Sequence, residues 1–190
     1  MIDVNDMKPK QSKNIDEVCY PYIYEDSLKC DYEIHTDAMC RQLGGILSLM
    51  PDDLPELTAE LEQLQPILYH LNGSIRGKCA VGEADHQWLL GCYARHRDSV
   101  ADCLSGFVLP RGRAPVPELN AASSAAKVAI RLMVRLHANE GVEIPEVLHR
   151  FCNVLCNYYF TLTLVINRRR GEAEVPFESA SYRVRTPRTQ

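Results

Sequence analysis

Three side chains able to hold a soft metal, His149, Cys152 and Cys156, fall at i, i+3 and i+7 of the stretch EVLHRFCNVLCNYYF. On a helix this spacing puts an imidazole and two thiols on one face, and with a fourth donor such a set suits zinc-like coordination. No Cys-x-x-Cys pair accompanies it, and free cysteines are among the most often buried residues. Buried free cysteines and a capping histidine are the ordinary explanation of the set, so no metal is assigned and the three stay only as candidates. His70, His86 and His96 show no mutual spacing that suggests a catalytic group. The basic run Arg168–Arg170 reads as a solvated helix end, or as a place to meet a phosphate or an acidic surface.

A second constellation is the connector FVLPRGRAPVPEL, residues 107–119. Pro110, Pro115 and Pro117 forbid a continuing helix and hold the chain extended. Connectors between bundle helices usually run ~2–8 residues, and longer ones are often functional. Its apolar start suggests that Phe107 and Leu109 are buried against something, either a ligand or the end of a bundle. Just beyond it, NAASSAA at 120–126 offers a run of small side chains, which admits a neighbouring backbone or a flat ligand equally well.

The elements that must position these residues are helical. Apolar residues recur at steps of three and four in five segments, and no convincing alternating strand pattern intervenes. The first helix is expected over about 28–50, with Ile34, Ala38, Leu43, Ile46 and Met50 on its stripe. The second runs about 53–78 through Leu54, Leu57, Leu61, Leu64, Leu68, Leu71 and Ile75, with a bend at Pro66. The third runs about 83–104. The fourth follows Pro117, carrying Ala121, Ala125, Val128, Ala129, Leu132 and Leu136 up to Gly141. The fifth runs from Pro145 to Arg170, with basic residues in its last turn, where the helix dipole favours them. The chain thus reads as all-α: a flexible N-terminal segment at 1–27, a helical bundle domain at 28–170 and a C-terminal tail at 171–190.

Composition narrows the function. With 190 residues, 21 Lys+Arg against 25 Asp+Glu and a net charge of −4, the chain gives no reason to expect nucleic-acid binding. Its longest apolar run, YYFTLTLVI, falls far short of the ~20 residues that span a bilayer, so no membrane is expected. MIDVNDMKPKQSKN lacks the apolar core of a signal peptide. Eight cysteines in such a chain read as reduced thiols of a cytoplasmic protein rather than as disulfides.

Three segments together carry a resemblance. SGFVLPRG is similar to a Phe-(Val/Ile)-Leu-Pro-Gly-Gly element. FCNVLCNYYFTLTLVINRRRG resembles Phe-Leu-Asn-Arg-Leu-Ser-Asp-Tyr-Leu-Phe-Thr-Leu-Ala-Arg. LEQLQPILYHLNGSI resembles Leu-Glu-x-Ile-Gln-x-x-Leu-Phe-x-Leu-Gly. All three belong to the PduO-type ATP:cob(I)alamin (corrinoid) adenosyltransferases, and the likeness covers about residues 28–178. It implies a five-helix bundle, usually a homotrimer, with sites between subunits that transfer the adenosyl group of ATP to reduced corrinoid cobalt, magnesium sitting on the triphosphate. It further implies that Phe107 packs on the lower face of the corrinoid, and that Asp37 matches the aspartate of a Val-Asp-Glu-Leu pattern on the first helix.

On the ATP side the resemblance departs. A glycine-rich Thr-Lys-Thr-Gly-Asp-x-Gly-Thr loop should wrap the triphosphate with backbone amides, yet no glycine occurs from Met1 through Cys40. The fourth-helix pattern Arg-x-Val-Cys-Arg-Arg-Ala-Glu-Arg meets SSAAKVAIR: its first three arginines become Ser123, Lys127 and Val128, its glutamate becomes Ile130, and Arg131 persists. On the fifth helix Asn153 is kept, while the following Arg is Val154 and the Asp is Asn157. A guanidinium grips phosphate with two parallel hydrogen bonds, Lys offers a point charge, and Ser or Val offers none. Losing one partner of a buried ion pair costs ~3–5 kcal/mol, whereas losing both can be neutral. The pattern is that of a network dismantled in concert, and it puts ATP and magnesium binding in doubt. Two functions stand: a divergent relative that binds a corrinoid or related ligand at subunit interfaces, with Lys127, Arg131, Asn153 and Asn157 as the remnant of the ATP side, or an active adenosyltransferase.

Overall fold

The computed structural model describes residues 11–103 and 106–181. Five helices form the bundle: α1 (Leu28–Leu47), α2 (Pro55–Gly73), α3 (Glu83–Ser99), α4 (Val116–Glu140) and α5 (Glu146–Arg169). Short 3-10 turns lie at Ile15–Glu17 and Ala101–Cys103. Two three-residue strands, β1 (Phe107–Leu109) and β2 (Val175–Phe177), pair antiparallel as a ribbon. No alternating pattern announces either strand. Part of the stretch expected as a C-terminal tail therefore returns to the bundle and pairs with the connector.

The core follows the helical stripes, with two corrections. Leu54, Leu57, Leu61, Leu64, Leu68 and Leu71 are all buried, and α2 continues unbroken through Pro66. On α1, however, Ile34 and Ala38 face outward, and Tyr32, Thr36, Met39, Leu43 and Ile46 form the inner face. On α4, Ala121 and Val128 likewise face out, while Ala122, Ala126, Ala129, Met133 and Leu136 face in. Each error is a phase shift of one residue or so, which a stripe rich in alanine allows. α5 is the central element, packed against both α3 and α4 and buried almost continuously from Tyr158 to Asn167.

Side-chain caps and ion pairs fix the helix ends. Glu140, at the end of α4, accepts from the Leu28 amide at 2.6 Å and from the Ser27 hydroxyl at 2.7 Å, closing the N-terminus of α1. These donors hold the Glu140 carboxyl below its ordinary value. Gly141 ends α4 at φ 64°, in the left-handed conformation that glycine adopts without cost.

Two carboxylates tie elements together from within. Glu33 of α1, 4% exposed, accepts from Arg76 Nε at 2.8 Å and Nη2 at 3.0 Å and from the Tyr20 hydroxyl. Arg76 also reaches Glu25 at 2.7 Å and lies 4.0 Å from the Tyr22 ring centroid, which binds the segment before α1 down onto the bundle. Glu60 of α2 accepts from His96 (2.8 Å), Tyr158 (2.9 Å) and Arg95 (3.0 Å), joining α2, α3 and α5.

No disulfide joins the cysteines among the described residues. Cys30, Cys92, Cys152 and Cys156 are buried and Cys19 is exposed. No helix of the described residues is long and apolar enough to cross a membrane.

Candidate functional site

The ribbon is the feature around which the candidate site is built. Its register pairs Phe107 with Phe177, Val108 with Pro176 and Leu109 with Val175. A two-stranded ribbon this short is marginal alone in water, and here it is pinned at its open end by Asn167 from the last turn of α5. The Asn167 amide donates to the Arg111 carbonyl at 2.9 Å and to Glu174 at 3.0 Å, gripping both strands' continuations at once. Arg113 adds an ion pair to Glu172 at 2.6 Å, and Arg170 donates to the Arg113 carbonyl at 3.1 Å. Gly112 makes the close approach possible. Its φ is 152°, and a Cβ there would sit 2.5 Å from Asn167 Oδ1 and 2.7 Å from Val116 Cγ1.

Between β1, α4 and α5 lies an open cleft of about 490 Å3. Phe107 and Phe160 form its aromatic wall, Ser123 and Lys127 line it from α4, and Cys156 and Asn157 line it from α5. Lys127 is the one charged side chain among the described lining residues. The other polar groups are largely spent within the fold: the Ser123 hydroxyl donates to the Cys156 carbonyl at 2.9 Å, and the Asn120 amide donates to the Val116 carbonyl at 3.1 Å. A small-residue opening on α4 is what lets α5 approach so closely. The cleft can therefore offer apolar contact to a flat molecule and a single point charge at one edge.

The residues singled out from the sequence divide between this cleft and other places. Phe107, Lys127, Asn157 and Cys156 meet in it. Phe107 is 46% exposed, so it is not buried as the apolar start of the connector suggests. Arg131 is exposed one turn beyond Lys127, outside the lining. Asn153 is exposed one turn before Asn157, and its amide donates to the His149 carbonyl at 2.8 Å. Asp37 lines a separate cleft with Cys19, Tyr20, Tyr69 and Asn72, and it pairs with Arg41 at 2.6 Å.

His149, Cys152 and Cys156 share a helix and do not converge. Burial pushes the Cys152 thiol up to about 12, deep in the core. His149 lies one turn before it in a separate surface cleft with His137, where burial and then His137 lower its pKa, and Cys156 faces the cleft beside Ser123. Among the described residues no group of three or more His, Cys, Asp or Glu side chains could hold a metal ion.

Sequence reasoning missed Asn167, Phe160 and Phe177. Asn167 follows nine consecutive apolar or hydroxyl residues and is 3% exposed, a polar side chain at the end of a buried run that asks for a partner. Phe177 carried no signal, because three residues are too few to display alternation.

A five-helix bundle with a ribbon-walled cleft between its fourth and fifth helices defines the class of fold. Solved structures share the helical fold. A variant PduO-type ATP:corrinoid adenosyltransferase from Lactobacillus reuteri, complexed with cobalamin and ATP, superposes with a TM-score of 0.73 at 20% identity, covering 82% of this chain and 89% of that one. A second variant of the enzyme, also with cobalamin and ATP, gives 0.72 at 20% identity over 81% and 86%. A third, complexed with ATP, gives 0.72 at 21% identity over 82% and 90%. No protein-family model and no curated protein matches the chain. The fold is that of these adenosyltransferases.

Proposed function

We propose that this protein is a divergent member of the PduO-type adenosyltransferase family that binds a corrinoid or a related planar ligand at subunit interfaces of a homotrimer, with a degenerate ATP site. The observation that carries the reading is the charge of the cleft. A triphosphate bears about four negative charges and is ordinarily held by several charge-assisted hydrogen bonds. Among the described residues Lys127 is the one charge that faces the cleft, while the neighbouring positions on α4 and α5 present Ser123 and Asn157, the serine already bonded within the fold. The segment before α1, where a triphosphate loop would stand, is fastened by Tyr20, Tyr22 and Glu25 to Glu33 and Arg76. Phe107 and Phe160 suit the face of a macrocycle. The residues present thus fit a corrinoid and do not fit ATP with magnesium.

Placement of Lys127 beside Phe107 favours a second reading, an active ATP:cob(I)alamin adenosyltransferase. In that case Lys127→Ala would raise the KM for ATP more than that for corrinoid. Titration of the purified protein with magnesium-ATP, and separately with oxidised and reduced cobalamin, tests both. The expected result is corrinoid binding with no saturable heat from magnesium-ATP. Conversion of cob(I)alamin to its adenosyl form at enzymatic rates would establish the second reading, and the absence of any corrinoid binding would overturn both.

A further inference from the structure

The geometry points to a second ligand site, in the cleft where α2, α3 and α5 meet, for a small carboxylic acid with a short apolar body. The site lies outside the corrinoid cleft and does not rest on the corrinoid reading. The cleft measures about 630 Å3, within the range of ordinary small-molecule pockets. Arg95 and His96 line it from α3, and Arg168 and Arg169 line it from the last turn of α5. The basic run Arg168–Arg170 thus divides. Arg170 is spent on the connector, donating to the Arg113 carbonyl at 3.1 Å, while its two neighbours turn to the cleft.

Spare hydrogen-bond donors are the first support. Arg168 is braced through Nη1 by the Ser99 carbonyl at 2.9 Å and by Asp102 at 2.5 Å, which leaves its Nε and Nη2 unspent among the described residues. The Arg169 guanidinium makes no hydrogen bond among the described residues, and its counter-ion is Glu56 at 3.8 Å. That distance is beyond a hydrogen bond, and both side chains are more than half exposed. A bound carboxylate can therefore take the place of Glu56, and a guanidinium grips such a group with two parallel bonds.

Charge is the second support. Both oxygens of Glu60 are taken, Oε1 by Arg95 and Oε2 by His96 and Tyr158, so this carboxylate anchors the α3 side of the cleft. With Arg95 matched to Glu60 and Arg168 to Asp102, Arg169 is the loosely matched cation. One such charge suits a monoanion better than a phosphate dianion or a triphosphate. Third, the buried side chains Leu57, Val100 and Val165 line the same cleft and give a hydrocarbon body an apolar floor.

Calorimetric titration of the full-length protein with hexanoate, at fixed ionic strength, tests the site, with hexanol and inorganic phosphate as comparison arms. Hexanoate should bind saturably at one site per chain. Hexanol lacks the charge and phosphate the chain, so each should bind roughly tenfold more weakly. Arg169→Gln should weaken hexanoate roughly five- to tenfold, between the worth of an exposed ion pair and that of a charge-assisted bond. Its melting temperature should stay put, since that guanidinium has no hydrogen bond to lose among the described residues. Glu56→Gln, which removes the competing carboxylate, should tighten binding instead. Absence of saturable hexanoate binding overturns the proposal, as does equal affinity of Arg169→Gln and unmodified protein. Phosphate bound as tightly as hexanoate would overturn the carboxylate assignment. Hexanoate binding abolished by Lys127→Ala would move the acid to the other cleft and overturn the site. No arm of this titration uses cobalamin, so the inference and the corrinoid reading fail separately.

Discussion

Phe107 illustrates what a single residue can and cannot say beforehand. Its place in an apolar, proline-bounded connector fits a ligand contact and a core plug equally, and only its half-exposed position separates them. Since about half of the ring is already covered, the part left for a ligand is worth roughly 0.8–1.5 kcal/mol. Phe107→Ala is therefore expected to loosen cobalamin binding about three- to tenfold in a spectroscopic titration while moving the melting temperature little. A large fall in melting temperature with unchanged affinity would return Phe107 to the plug. Lys127 and Asn157 line the same cleft as Phe107, and Asp37 lines another, a division that a one-dimensional match does not show, because it is blind to which side of a bundle a helix faces.

At the scale of elements, the helices were readable to within a few residues, since steps of three and four in leucine positions survive any tertiary context. The ribbon was not, for it depends on a long-range grip by Asn167 on the Arg111 carbonyl fifty-six positions earlier, beside Gly112. That grip makes a direct prediction. Gly112→Ala would force its Cβ against Asn167 Oδ1 and Val116 in a backbone conformation L-residues avoid, costing about 1–3 kcal/mol. Thermal unfolding should drop accordingly, and limited proteolysis should open the connector near Arg111 and Arg113.

The joint between α2, α3 and α5 predicts a pH response. Burial pushes the Glu60 carboxyl upward, but hydrogen bonds from His96, Tyr158 and Arg95 outweigh it and hold the group below its ordinary value. At the head of α3, Arg150 and Gln87 lower Glu83 to about 2. A depressed folded value means that the unfolded chain takes up the proton first. The stability from these carboxylates is complete above roughly pH 4.5 and drains away as pH falls toward their folded values. Melting curves between pH 7 and pH 3 should steepen below roughly pH 4.5, and Glu60→Gln should flatten that slope while lowering stability at pH 7. A slope indifferent to the substitution would mean that Glu60 titrates alike in both states.

On the scale of the whole molecule, α1 and α4 pack side by side and both present apolar groups outward: Ile34 on the first, Val128 and Val134 on the second. Ile34 and Val128 are also positions where the expected core stripes were out of phase. In the proposed homotrimer this outward apolar face is the expected subunit contact. Sedimentation velocity at micromolar concentration should give a trimer, and Val128→Arg should shift it toward monomer without loss of helicity. A monomeric unmodified protein would count against any site shared between chains.

The burial of the cysteines has one further consequence, for how the molecule can be watched. A thiol reagent meets Cys19 freely, beside the tyrosine that ties the N-terminal segment to Glu33; Cys40, Cys79 and Cys103 are half-buried, Cys156 borders the open cleft, and Cys30, Cys92 and Cys152 are shut inside. Alkylation should therefore proceed in stages, first at a surface handle suited to a fluorophore and later only as fast as the bundle opens. Mass increments counted over time would turn the core's own sulfur atoms into a clock for local unfolding, α5 being the last to keep time.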